Sequence, residues 1–255
     1  MPSSDLLAHF DREFELIYRI DPRVMDDIHR LRYDVLCDQV GLVGFEPWRY
    51  PDQREKDGYD RRSVFCAMYH RASGRIAGCV RLILSDPRNV NEPFAVEEAA
   101  RNYFDEEFDA GTLPRHRTAE ISRFLVAKEH MPGQGGTREA RRQFRATGFP
   151  FPMLGLLQGI IQLAAKHDAV YTYAIMEPVL NRLLRRFAVN FPAIGPVIEH
   201  HGKRQAYFAE LAEVVDRAKG VRREVWDLMT RRGSVLPPRM VPVEARELGA
   251  VALMA

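Results

Sequence analysis

The strongest constraint on what this chain can fold into is a strand–helix–strand run between residues 119 and 176. AEISRFLVAKEH (119–130) has the β-branched and aromatic content of a central strand, and AVYTYAIM (169–176) reads as a second. Between them Pro152 to Lys166 forms an apolar helix. Strands joined through a helix run parallel, because the crossover returns the chain to the end at which it started. Upstream, Ser63–His70 and Ile76–Leu84 flank a turn around Ser73–Gly74, which is a hairpin and so antiparallel. A last pair, Pro196–His201 and Arg204–Glu210, turns at Gly202–Lys203. A sheet holding all of these is mixed, mostly antiparallel and flanked by helices in an α/β fold.

The other segments fit around that sheet. Asp26 to Val40 reads as a helix, with Ile28, Leu31 and Val35 on one face. Gly41 to Arg62, rich in glycine, proline, aromatic and charged residues, reads as an ordered or substrate-closing loop. Ser85 to Arg117 is polar, with a short acidic helix near Val96 to Phe108. Met131 to Gly148 is a Gly- and Arg-rich insertion; a further helix runs from Pro178 to about Ala188. No repeat or interdomain linker is visible. The expectation is one domain over residues 1–236, with a core at about 14–210, a charged amphipathic helix at 211–232 and a peripheral tail at 237–255.

Composition narrows the class of function. At 255 residues, 46% apolar and 28% charged, the chain has ample surface to bury. A net charge of +2 is too small to make nucleic acid the expected partner, so any basic patch must be local. The longest apolar stretch, Phe149 to Ala165, carries Gln158 and Gln162, which with Lys166 make one polar stripe at i, i+4, i+8. That is not a membrane span. The first residues are acidic where a secretion signal would be basic, so the cytoplasm is the expected location. Cys37, Cys66 and Cys79 lack metal-ligand spacing and read as buried thiols. His200–His201 has no third ligand at useful spacing, so no metal is expected, and His116 and His130 are expected to face solvent.

Four short features could carry chemistry: Leu31-Arg32-Tyr33-Asp34 in the first helix, Asp57-Gly58-Tyr59-Asp60 before a strand, Val80-Arg81-Leu82 within one, and Glu120-Ile121-Ser122-Arg123-Phe124 in the central strand. Singly, each has a structural reading: a solvated turn for the aspartates, a surface position for Arg32. Arg81 is harder to place so, since a guanidinium inside an apolar strand must find carboxylates. Glu120 and Arg123 face opposite sides of a regular strand, unless a bulge turns them together. A structural ion network of Arg32, Asp57, Asp60, Arg81, Glu120 and Arg123 remains open beside a catalytic one.

Together, in this order and at these separations, the four features resemble the autoinducer (acyl-homoserine-lactone) synthases. They resemble equally the long-chain N-acyl amino acid synthases and the acyltransferases associated with the PEP-CTERM/exosortase system. All are similar in fold to GNAT N-acyltransferases. The likeness spans about residues 14–210, and the Gly202-Lys203-Arg204 turn with Tyr207-Phe208 leans towards the PEP-CTERM-associated branch. Homoserine-lactone synthases usually carry aromatic residues where this chain has Leu36 and Leu42, which favours an amino donor other than a methionine derivative. A Gly-rich phosphate turn running straight from strand into helix is absent: Gly133, Gly135 and Gly136 lie inside the insertion.

The resemblance implies acyl transfer from a phosphopantetheine thioester, on acyl carrier protein or coenzyme A, to the amine of an amino acid or similar acceptor, with no permanently bound cofactor. The slot for the pantetheine arm would be the gap between the two parallel strands. Glu120 would take the ammonium proton, with Ser122 and Arg123 beside it. Phe124, Leu125 and Val126, with Leu154 and Tyr173, would line the substrate. Arg32, Arg81 and Arg123 would be candidates for an acceptor carboxylate, while Asp57 and Asp60 would attract the amine or order the loop. Gly155 and Gly159 leave room either for an acyl chain or for close packing. Arg138, Arg141, Arg142 and Arg145, and Arg182, Arg185 and Arg186, are two basic clusters suited to an acidic carrier protein, or are solvated helix faces. Two other functions fit the same residues: homoserine-lactone synthesis from S-adenosylmethionine, and a non-catalytic module that binds acyl carrier protein.

Overall fold

The computed structural model describes residues 5–132, 136–147 and 151–240. Its centre is a seven-stranded sheet: β1 (Phe14–Ile17), β2 (Ser63–His70), β3 (Arg75–Leu84), β4 (Thr118–Val126), β5 (Tyr171–Met176), β6 (Ala193–Glu199) and β7 (Lys203–Glu210), in the order β1-β2-β3-β4-β5-β7-β6. Only β4 and β5 run parallel, and their pairing stops at Ile121 and Ala174. Beyond those residues β4 continues to Val126 and β5 to Met176 without pairing to each other. The mixed sheet expected from the crossover is therefore present, with a splay at its middle.

Among the described residues eight α-helices surround it: α1 (Leu6–Glu13), α2 (Pro22–Tyr33), α3 (Ala95–Ala100), α4 (Arg138–Thr147), α5 (Phe151–Lys166), α6 (Pro178–Arg185), α7 (Leu211–Val221) and α8 (Arg223–Thr230). Side chains alternate along each strand, so the two faces carry different sets. Val80, Leu82, Ala119 and Ile121 point to the face covered by α1, α5, α7 and α8. Phe65, Ala67 and Cys79 point the other way, onto Ile28 and Leu31 of α2, while Ile83 and Tyr173 meet Val96 and Ala100 of α3 on that same side. The three cysteines are free and buried.

Several boundaries differ from the sequence reading for local reasons. The helix read from Asp26 begins four residues earlier, because Asp21 accepts the N–H groups of Arg23 and Val24 at 2.9 Å and Pro22 fits the first turn. It passes at Asp34 into a π-helical turn to Gln39. α1 and β1 were not expected; β1 has only four residues and takes its register from β2. The insertion contains α4. The helix read over 211–232 is two, broken at Arg222 with φ −140° and ψ 74°. The space at Gly155 and Gly159 is used for packing: a Cβ would lie 1.9 Å from Phe10 Cε2 at the first and 2.8 Å from Cys66 Sγ at the second. His130 does not simply face solvent, being packed against Phe14 and His70. Gly133, Gly135 and residues 241–255 of the tail lie outside the described residues.

Candidate active site

The site starts with a kink in β4. Across the β3–β4 ladder Cys79 faces Leu125 and Arg81 faces Ser122, so β4 holds one residue more than its partner over that interval. The extra residue is accommodated at Arg123, whose φ of 48° lies in the left-handed region. This bulge resolves the spacing problem in the sequence: Arg123 reaches the same charged cluster as Arg81, one position out of regular alternation.

That cluster is a closed ion network. Arg32 Nε donates to Glu55 Oε2 at 2.5 Å and Nη1 to Asp60 Oδ1 at 2.8 Å. Arg81 Nη1 donates to Asp57 Oδ1 and Asp60 Oδ1 at 2.6 and 2.5 Å, and Nη2 to Ser122 Oγ at 3.0 Å. Arg123 grips Glu55 with Nε and Nη2 at 3.1 and 2.8 Å and reaches Asp57 Oδ2 at 2.8 Å. Three guanidinium groups thus meet three carboxylates, which makes their burial tolerable. Burial opposes ionisation of Glu55, but the hydrogen bond and charge of Arg123 and the charge of Arg32 outweigh it and hold the carboxyl at about 2. Asp60 is held far below the usual range in the same way: burial opposes ionisation, and His29, 3.6 Å away, together with Arg32 and Arg81 prevails.

Arg32 and Arg81, expected as candidates for an acceptor carboxylate, are instead buried, bonded to carboxylates of this chain and outside the cavity lining. Asp57 and Asp60 order the loop: Tyr59 donates to Asp57 at 2.9 Å, and the Asp57 N–H donates to Asp60 Oδ2 at 3.2 Å. Glu55 was missed, for its buried role shows only once the loop folds over the sheet.

Glu120 stands apart from this network. It lies on the same face as Ser122, with 1% exposure, and accepts the Val96 N–H at 2.9 Å. Burial raises its carboxyl to about 7, against the Val96 hydrogen bond and the charges of Arg81 and Arg123. A buried carboxyl that changes charge near neutrality is a general-base candidate.

Glu120, Ser122, Arg123, Phe124, Leu125 and Val126 all line one cavity of about 500 Å³ at the splay. On the α5 face its walls are apolar: Met153, Leu157 and Ile160 of α5, Leu180 and Leu184 of α6, and Phe191. On the opposite face it is bounded by Leu36, Leu42 and Phe45, with Glu177, Arg204 and the hairpin residues His200 and His201 at the polar end. Leu154 and Tyr173 do not line it. Leu154 is buried in the α5 core, and Tyr173 lies under α3 with its hydroxyl 3.4 Å from Glu97 Oε1. Glu97 is itself buried and paired with Arg115, an ion pair that no sequence spacing signalled.

The loop read as ordered or substrate-closing is ordered, and its Leu42 and Phe45 line the cavity. His201 Nδ1 lies 2.6 Å from the Val43 carbonyl oxygen, and its ring meets Phe45 at 5.0 Å. Phe45 in turn lies 5.3 Å from the Arg123 guanidinium. The two basic clusters are in place as surface groups: Arg138, Arg141, Arg142 and Arg145 are exposed on α4, and Arg182, Arg185 and Arg186 on or just after α6. Among the described residues no group of three or more His, Cys, Asp or Glu is placed to hold a metal ion, and no helix is long and apolar enough to cross a membrane.

Residues 31–137 match the family described as the acetyltransferase (GNAT) domain. Three solved structures are similar in fold. The acyl-homoserine-lactone synthase LasI is 18% identical, with 82% of this chain and 93% of that one covered and a TM-score of 0.58. TofI, solved with an inhibitor and MTA, is 19% identical over 81% and 96%, with a TM-score of 0.56. The CoA-dependent acyl-homoserine-lactone synthase BjaI, solved with SAM and isopentyl-CoA, is 19% identical over 90% and 94%, with a TM-score of 0.52. No curated protein matches the chain. The splayed parallel pair and the mixed sheet thus belong to a GNAT-like fold, the one seen in the acyl-homoserine-lactone synthases LasI and BjaI, with the family match confined to residues 31–137.

Proposed function

We propose that this protein transfers a fatty acyl group from a carrier-protein or coenzyme A thioester to the amino group of an amino acid or similar amine. The observation that carries the reading is the splay cavity: apolar walls on the α5 face lead to a buried carboxyl raised to about 7 on the other. The acyl chain occupies the apolar part, and its thioester carbonyl lies in the gap between β4 and β5. Beyond Ile121 the β4 edge left uncovered by β5 supplies backbone N–H groups for the developing oxyanion. Glu120 accepts a proton from the acceptor ammonium, directly or through water. The freed nitrogen lone pair attacks the carbonyl carbon, and as the tetrahedral intermediate collapses the C–S bond breaks, the nitrogen loses its extra proton to give the amide, and that proton goes to the departing thiolate. The exposed arginines of α4 and α6 support an acidic carrier protein as donor.

The second reading, homoserine-lactone synthesis, draws on the relatives LasI and BjaI, the latter solved with SAM and isopentyl-CoA. Against it, two cavity positions where such synthases usually carry aromatic residues are Leu36 and Leu42 here, although Phe45 adds an aromatic wall. One experiment separates them. The purified chain is incubated with hexadecanoyl carrier protein or hexadecanoyl-CoA and a mixture of the proteinogenic amino acids, with and without S-adenosylmethionine, and products are identified by mass spectrometry. We expect N-hexadecanoyl amino acid without S-adenosylmethionine. A product requiring it would establish the second reading, and no acylated amine under any condition would favour a binding module.

A further inference from the structure

The arginines that the sequence offers for an acceptor carboxylate are occupied. Arg32 and Arg81 are sealed in the core, and Arg123 spends Nε and Nη2 on Glu55 and Asp57. An anionic group on the acceptor of the proposed reaction would find a further cation, Arg204, at the polar end of the cavity. Arg204 stands beside Glu177 in the β5–β7 ladder, one step beyond the Met176–Gln205 pair. Alternation puts Arg204 on the face of Ala206, Ile175 and Tyr173, which is the face of Glu120 and Ser122.

We infer that Arg204 is the specificity residue that reads the carboxylate of the amine acceptor; this rests on the N-acylation reading above. Its present bonds are weak holds. Nη1 donates to Glu177 Oε1 at 2.9 Å and to the Lys203 carbonyl at 3.2 Å, while Nε and Nη2 donate to no described residue. The Glu177 side chain is 56% exposed against 14% for Arg204. An ion pair with so exposed a partner opens at little cost, and a substrate carboxylate can replace it with two parallel hydrogen bonds. Gly202, at φ 92°, forms the turn that sets Arg204 in place, and a neighbouring contact of His201 with Val43 pins the same hairpin tip over the cavity. The acyl chain and the anion are thus kept at opposite ends, apolar on the α5 face and cationic at the hairpin.

The test compares wild type with Arg204→Gln and Arg204→Lys, using hexadecanoyl carrier protein and, as acceptors, an amino acid used by the wild type and its carboxamide. The wild type should prefer the acid over the amide by at least about tenfold, the scale of one charge-assisted bidentate contact. Arg204→Gln should raise the KM for the acid about tenfold or more, leave the amide and the thioester KM unchanged, and so erase the preference. Arg204→Lys should recover part of it. A thioester KM that rises instead would assign Arg204 to the donor phosphate, and an unchanged acceptor KM would remove it from recognition; either overturns the inference while N-acylation stands. Absence of acylated product from the wild type with both acceptors would overturn the N-acylation reading and this inference together.

Discussion

Glu120 and Glu55 lie in the same part of the molecule and are shifted in opposite directions, and the contrast separates the proposed base from the ion network beside it. Glu55 has two arginines and is held at about 2, so its charge stabilises the fold at every pH above the ordinary glutamate range. That contribution is lost as the pH falls from about 4.5 towards 2. Glu120 is raised from 4.5 to about 7 by burial, so the folded state binds more protons than the unfolded one between those values. Stability from this group is then fully present below about 4.5 and declines as the pH rises through 7. Glu120→Gln, which keeps the shape and an acceptor for the Val96 N–H, should therefore raise thermal stability at pH 8. The gain is up to about 3 kcal/mol at 1.36 kcal/mol per pK unit, and little change is expected at pH 4.5. Thermal melts at the two pH values check this; a variant less stable than wild type at pH 8 would mean that the carboxylate is paired after all.

At the scale of elements, the decisive features are a splay, a bulge and a clasp. The crossover and both hairpins were legible because β-branched periodicity and turn residues are local signals, and β2 matches its sequence boundaries at Ser63 and His70. The bulge was legible only as a conflict, Glu120 and Arg123 at a spacing that regular alternation cannot serve. Arg32, Asp57, Asp60 and Arg81 could be grouped from sequence, because a charge in an apolar context demands a partner. A structural network of them was one of the two readings open in the sequence; its closure by Glu55 was not legible, since Glu55 joins from a loop whose path depends on the finished sheet. Leu154 and Tyr173 were assigned to the cavity because a sequence shows which residues are apolar but not which way a fully buried element points. The clasp was invisible for a related reason: Val43 and His201 are 158 residues apart. It depends on Gly44, where φ is 90° and a Cβ would stand 2.4 Å from His201 Cε1. Gly44→Ala should force the loop off the hairpin tip. We expect faster proteolysis within residues 41–46 and a loss of up to about 100-fold in kcat/KM, the scale of a small misplacement of the catalytic geometry. Unchanged proteolysis and turnover would show that the clasp does not shape the site.

For the molecule as a whole, the sheet is both scaffold and partition. Its α5 face is almost wholly apolar and its α2 face carries the charges, and at the one parallel pair among the described strands a single cavity is lined from both. In the proposed reaction an acyl thioester and a charged amine need different surroundings, and a sheet that splays at its centre would offer one to each. The central claim is that the proton leaves the amine for Glu120 at that gap. The pH dependence of kcat/KM for acyl transfer, measured for wild type and Glu120→Gln, tests it most directly. The account predicts a wild-type activity that rises through a group titrating near 7, and a variant slower by about 10²- to 10⁴-fold that lacks this rise. A variant retaining wild-type rates and the same pH profile would contradict it.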